Sequence, residues 1–318
     1  MPRINTVLGP VDAGEVGITA LQEHLQIGLP GWERAPEVNY SRAEAFSRAA
    51  EALRRFKAAG GTCILDSSPI AMARDVELCR SLSRESGVQV AVCTGFWDDS
   101  GIPGHFAPLL RAVPGFFAAH DADYYGDLMF QELTQGVMAR RLGRTDARAA
   151  AIKVGNGATG ISEWEELIYR GAARAARKTG CVVYTSGVAQ VWRQLEILRE
   201  EGAPPDRVVV GHCDDPLDAE RNLRLCRDGA CVSFDRLGRD GASDSQRAAA
   251  VKALVDAGHA QQVVVSCGSV AYPIAWPPSP QPLPYLLEGF VPLLRQAGVD
   301  AAAIQTILVE NPRRLLAF

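Results

Sequence analysis

The chain has 318 residues, 47% of them hydrophobic and 22% charged, with Lys+Arg 33 against Asp+Glu 37 for a net charge of −4. That length buries a large core without disulfide or metal staples, and the composition excludes collagen-like and disordered chains. The missing basic excess argues against a nucleic-acid or anionic-membrane surface, and no apolar run reaches the roughly 18 residues of a membrane span.

Met1-Pro2-Arg3-Ile4-Asn5-Thr6 opens without the apolar segment of a secretory leader, so a cytoplasmic location is expected. From there short apolar runs alternate with amphipathic stretches. The runs Ile18–Leu25, Thr62–Asp66, Val88–Cys93, Ala150–Val154, Val182–Thr185, Val208–His212, Cys231–Phe234 and Val263–Cys267 read as strands. Arg42–Ala59, Ala73–Ser86 and Trp164–Lys178 carry Ala, Leu and Phe at helical spacing, and Gly60-Gly61, Gly87 and Gly180 stop these helices before the next strand. Strands separated mostly by helices predict an α/β fold, a (β/α)8 TIM barrel forming a single domain over 1–318. An open doubly wound sheet is the competitor, but no glycine-rich phosphate fingerprint follows the first strand. The Pro-rich stretch Pro273 to Pro284 falls after the eighth strand, where a lid or pocket wall is expected. Eight cysteines without a CxxC pair, mostly inside apolar runs, predict reduced core residues.

Barrel enzymes place their chemistry at the carboxyl ends of the strands. Those ends carry His24, Asp66, Lys153, Ser186, His212, Asp215, Asp235 and Arg236. Strand alternation puts Gln22 and His24 on one side and turns Glu23 away. A lysine inside the apolar strand Ile152-Lys153-Val154 needs a partner or a task. An ion pair with Asp66, Asp215 or Asp235 is the structural alternative to a functional role.

The chain contains Ile4-Asn5-Thr6-Val7-Leu8-Gly9-Pro10-Val11, Glu23-His24-Leu25, Gly60-Gly61-Thr62, Ile152-Lys153-Val154, Gly211-His212-Cys213-Asp214-Asp215 and Asn311-Pro312-Arg313-Arg314-Leu315-Leu316, in that order. In these segments it resembles the phosphotriesterase family of the amidohydrolase superfamily. The resemblance implies a (β/α)8 barrel, commonly a homodimer, that hydrolyses organophosphate esters, lactones or related small molecules. It also implies a binuclear metal centre held by a His-x-His pair, a carboxylated lysine, two further histidines and an aspartate. His24, Lys153 and His212 match three of those positions. Gln22, Ser186 and Gly268 stand where the first histidine, the strand-five histidine and the strand-eight aspartate belong.

Catalytic Zn²⁺ ordinarily takes three protein ligands, and amide or hydroxyl oxygens replace imidazole poorly. The sequence therefore predicts a degenerate site with no metal and no other cofactor, its remnant ligand positions being His24, Lys153 and His212. One Zn²⁺ rescued by Cys213, Cys267 or Asp215 is the alternative. Metal-independent acid–base chemistry on a small organic substrate is expected: elimination, isomerisation, cyclisation or hydrolysis. Lys153, His212, His24 and Asp215 are the candidate catalytic groups. Gln22, Trp97, Tyr184, Ser186, Arg236, Tyr272 and Trp276 are the candidate substrate contacts. Ser186 as a nucleophile is a weaker alternative, because Tyr184-Thr185-Ser186-Gly187 does not resemble a nucleophile elbow. A mononuclear-metal hydrolase of lactone, ester or phosphoester type and a non-catalytic binding barrel are the rival functions. His105 and Phe116 are further candidates for touching substrate, and Tyr124-Tyr125 for a subunit interface.

Overall fold

The structure, a computed structural model, describes residues 2–99, 106, 120–139 and 143–318. His105 and Phe116 lie outside the described residues. A short antiparallel hairpin, β1 (Arg3–Thr6) and β2 (Gly9–Asp12), opens the chain. Nine parallel strands follow: β3 (Ile18–Ile27), β4 (Gly61–Asp66), β5 (Gln89–Phe96), β6 (Ala151–Gly155), β7 (Val182–Ser186), β8 (Val208–Val210), β9 (Cys231–Phe234), β10 (Val263–Val265) and β11 (Val270–Pro273). They form one curled sheet in the order β10-β9-β8-β7-β6-β5-β4-β3-β11. The principal helices on its outside are α1 (Arg42–Ala58), α2 (Val76–Ser86), α3 (Ala122–Thr134), α4 (Glu163–Thr179), α5 (Val191–Glu200), α6 (Ala219–Arg227) and α7 (Asp244–Asp256). Among the described residues no helix is long and apolar enough to cross a membrane.

Two apolar layers hold the sheet, and strand alternation decides which residue joins which. Ile64, Val90, Val92, Ile152, Val154, Val183, Val232 and Val263 pack outward under the helices. Leu65, Ala91, Cys93, Ala151, Tyr184, Val209, Cys231 and Val264 pack together inside the curl. Lys153, between two outward-facing neighbours, is thereby forced inward. Helix α1 meets the sheet through Ala45, Ala49, Leu53 and Phe56, spaced at helical periodicity on one face. Its N-cap is Ser41, as Ser162 is for α4; Gly87 and Gly180 end α2 and α4 in the left-handed conformation.

The expected eighth strand, Val263–Cys267, ends early as β10 at Val265, and a further strand, β11, follows after Ser266–Ser269. Ser266 N–H donates to the Phe234 carbonyl on one side, while Gly268 N–H donates to the Gln22 carbonyl and His24 N–H to the Ser269 carbonyl on the other. This stretch therefore links β9 to β3. Glu23, turned away from the interior, fastens it by accepting from the N–H groups of Cys267 and Ser269, each at 2.8 Å. Burial pushes the Glu23 carboxyl up to about 8, against these hydrogen bonds. All eight cysteines are buried and unpaired. Tyr125 is a core residue rather than part of an exposed patch: its hydroxyl accepts from Trp164 Nε1 at 2.9 Å and its ring meets Phe96 edge-on.

Candidate active site

A bulge in β3 sets the first part of the site. The register against β4 shifts between Ala20 and Glu23, and the consecutive N–H groups of Leu21 and Gln22 both donate to Ser266 Oγ. Leu21 still packs inside the curl, and the irregularity turns Gln22 inward as well. Gln22 then links two charged-type groups with one amide. Its Oε1 accepts from Lys153 Nζ at 2.7 Å, and its Nε2 lies 3.2 Å from His24 Nε2. His24 Nδ1 lies 2.9 Å from Ser68 Oγ, which donates to the Gln26 carbonyl. The bonds run in one direction if His24 is neutral with its proton on Nδ1. Burial, then the positive charges of Lys153 and Arg236, lowers His24 to about 3, consistent with that form. Lys153 lies 4.1 Å from the centre of the Tyr184 ring, and burial lowers its ammonium to about 8.

The second part is built on β7, β8 and β9. Ser186 Oγ sits 3.1 Å from His212 Nε2, and His212 Nδ1 sits 2.6 Å from Asp235 Oδ1. His212 adopts a left-handed backbone, φ +59°, uncommon for a residue with a side chain. Its backbone N–H donates to the same Asp235 oxygen at 3.1 Å, and the carboxylate stabilises that turn. The other carboxylate oxygen accepts from the hydroxyls of Tyr184 at 2.7 Å and Ser233 at 2.8 Å. Burial works to raise Asp235, but His212, Lys153 and the Tyr184 hydroxyl hold it below the ordinary carboxylate range. Burial lowers His212 to about 4 despite the pull of Asp235. The pair is thus an ionised carboxylate against a neutral ring with its proton on Nδ1. The second aspartate after His212 is exposed at the rim, whereas Asp214 is buried beneath. Asp214 accepts from the N–H groups of Asp235 and Arg236 and pairs with the fully buried Arg247 at 3.0 Å.

A cavity of about 550 Å³ opens above this second part, lined by Trp97, Asn156, Ser186, His212, Asp215 and Arg236 among others. Arg236 Nε is buried without a hydrogen-bond partner among the described residues. The cavity lining does not include Lys153, Gln22 or His24, which form the buried network beside it. Tyr184 is fully covered and its hydroxyl is committed to Asp235. Trp276 meets Trp97 edge-on at 5.7 Å. Tyr272 is not brought to this group: its hydroxyl accepts from Ser41 N–H and its ring packs edge-on against Tyr40. Prolines 278, 282 and 284 line a separate cavity against α1, with Arg48 and Arg55, rather than a wall of this one. Asp66 binds the N–H groups of Leu25 and Ser68 and serves the backbone. The sequence offered Asp235 only as a strand-end acid and a possible ion-pair partner of Lys153, not as the partner of His212, although its place two residues beyond inward-facing Ser233 was the available signal.

Among the described residues, no group of three or more His, Cys, Asp or Glu side chains converges in a way that could hold a metal ion. The thiols of Cys213 and Cys267 point to the carbonyls of Val210 and Leu283. Gly268 holds φ +63°, and a Cβ there would lie 2.2 Å from the Asp235 carbonyl oxygen, so this backbone admits no aspartate side chain.

A sequence model described as the Phosphotriesterase family matches residues 2–316. A "Phosphotriesterase homology protein" of Mycobacterium tuberculosis (strain CDC 1551 / Oshkosh) is 28% identical, the match covering 99% of this chain and 98% of that protein. A "Phospho-furanose lactonase" of Mycoplasmopsis synoviae (strain 53) is 28% identical over 98% of this chain and 91% of its own. A solved structure from the engineering of organophosphate hydrolysis on a weak promiscuous lactonase template superposes with a TM-score of 0.88, at 28% identity and 99% coverage of both chains.

Proposed function

The chain belongs to the phosphotriesterase family, and from that premise we propose that it is a (β/α)8-barrel hydrolase of small esters or lactones that works without the binuclear metal centre. The 266–269 stretch between β9 and β3 is, on this reading, the seam that closes the barrel. One observation carries the reading. The side chains at the three matching ligand positions are engaged with neutral groups: Lys153 and His24 with Gln22, and His212 with Ser186. Gln22 and Ser186 offer only amide and hydroxyl groups in place of imidazole, and the Gly268 backbone refuses the missing aspartate. The donor set does not fit two metals, so the chemistry falls to side chains.

His212 then acts as the base, oriented by Asp235 and facing the cavity. Arg236 supplies positive charge where the carbonyl oxygen of a substrate gains negative charge. Burial keeps the ring of His212 neutral, with Arg236 and then Lys153, buried beside the cavity, adding to it. Relatives named as a lactonase and as a phosphotriesterase homology protein support hydrolysis over elimination or isomerisation.

The test is metal content together with activity. Protein produced in zinc- and manganese-supplemented medium is analysed by mass spectrometry for bound metals, then assayed on aryl esters and lactones with and without a strong chelator. Well under one ion per chain and chelator-insensitive turnover are expected. Near-stoichiometric metal, with turnover lost on chelation, overturns the reading.

A further inference from the structure

We propose that Ser186 is a catalytic nucleophile, and that Ser186, His212 and Asp235 form a serine–histidine–aspartate relay. The proposal rests on the metal-free reading above and names the group that attacks.

The geometry is that of a hydroxyl, a base and an orienting carboxylate in line. Ser186 Oγ to His212 Nε2 is 3.1 Å, and His212 Nδ1 to Asp235 Oδ1 is 2.6 Å. Such a constellation is recognised by geometry and roles, not by order in the chain or by the surrounding fold. Asp235 holds the ring proton on Nδ1, which leaves Nε2 to accept from Ser186. The ring cannot drift, because its own backbone N–H is fixed to the same carboxylate oxygen. Ser186 and His212 both line the cavity, so a substrate carbonyl can reach Oγ. Arg236 lines the same cavity, and its Nε has no partner among the described residues. Gly187, with nothing near its Cα substituent position, leaves the approach beside Ser186 open.

The reaction balances with water as the only co-reactant. The Ser186 proton passes to His212 Nε2 as the Oγ–carbon bond forms, and the carbonyl π electrons move onto oxygen beside Arg236. Collapse breaks the bond to the alkoxide, which takes the proton from His212. For a lactone that alkoxide stays tethered to the acyl group. Water then gives a proton to His212 and its oxygen to the acyl carbon. The Ser186–acyl bond breaks, and the proton returns to Oγ. The net change is ester plus water to acid plus alcohol. Asp235 touches no substrate atom and is a positioning residue.

The full-length protein is incubated with an alkyl fluorophosphonate and followed by intact mass and peptide mapping. Attack by Oγ forms an oxygen–phosphorus bond, expels fluoride and leaves one stable adduct. One adduct per chain, on the peptide holding Ser186, is expected. Ser186→Ala should abolish the adduct and reduce ester turnover roughly a thousandfold or more, with an unchanged circular dichroism spectrum and melting temperature. Asp235→Asn should slow labelling and shift its pH profile. Fluoride release without an adduct, or an adduct elsewhere, overturns the proposal. Full turnover in Ser186→Ala with turnover lost in His212→Gln also overturns it, while leaving the metal-free reading intact, since His212 would then activate water directly. Stoichiometric metal with chelator-sensitive turnover removes the premise and the proposal together.

Discussion

A single oxygen of Asp235 receives both the backbone N–H of His212, at 3.1 Å, and its ring Nδ1, at 2.6 Å. One carboxylate thus fixes the main chain and the tautomer of the same residue. Asp235→Asn keeps the volume but removes the charge and offers an amide where two donors now converge. Turnover should fall by roughly a thousandfold or more with KM little changed, because the ring proton is no longer held on the far nitrogen. Steady-state kinetics decides it; an equal rise in KM would mean that the pocket, rather than the base, had been disturbed.

His24 gives a pH dependence of stability with a defined sign. Its folded pKa is about 3 against an ordinary 6.5, so above pH 6.5 the ring is neutral whether folded or unfolded. As pH falls below 6.5 the unfolded chain takes up a proton that the buried ring refuses, and the folded state loses ground. The expected slope is about 1.4 kcal/mol per pH unit until the buried ring itself titrates. His24→Asn keeps a donor toward Ser68 but cannot titrate. Denaturant unfolding of both proteins should show the stability gap between them narrowing by about that slope as pH falls toward 4. Parallel pH curves would contradict the burial of a neutral ring.

Restoring the family's aspartate should not restore its metal. Gly268→Asp meets a left-handed backbone and the Asp235 carbonyl together. The first costs about 1–2 kcal/mol and overpacking typically adds about 1–3 kcal/mol. The variant should melt at a clearly lower temperature, and metal analysis should find no gain. A stable variant that takes up zinc would show that this turn is soft.

The aromatic residues around the site should divide by position. Trp97 lines the cavity, whereas Tyr272 donates nothing to it and holds the start of α1 through Ser41. Trp97→Ala should raise KM on aryl esters several-fold. Tyr272→Phe should leave both kinetic constants unchanged and cost about 1 kcal/mol of stability through the lost hydrogen bond. A kinetic effect of Tyr272→Phe would place it closer to the chemistry than its contacts do.

The strands and the order of helices were legible because alternation and glycine stops are local signals. Cys231–Phe234 is the same segment in sequence and structure, and Val182–Thr185 differs from its strand by one residue. The early end of the eighth strand and the further strand β11 were not legible. Both follow from Ser266, Gly268 and Ser269 bonding across to β9 and β3, contacts more than 200 residues apart in part. The same limit applied at the site. His24, Lys153 and His212 stood out as unusual in apolar strands, but a sequence does not tell which neutral group satisfies them. Gln22 reads as a lost ligand and serves as a bridge. Asp235 reads as one acid among several, and only its register beside His212 separates it from Asp66, which bonds to backbone. Tyr272 reads as a pocket aromatic because it follows the eighth strand, yet β11 turns it toward Tyr40.

The bend at Gly268 also limits which neighbouring sequences this chain can reach. A codon change that supplies the missing acid arrives at a main chain with no room for it, and a main-chain shift that makes room must first move Gly268 away from the Asp235 carbonyl. Gain of the acid therefore requires a main-chain shift next to Asp235, not a side-chain change alone. Directed evolution toward metal dependence would have to move this main chain as well as supply the acid.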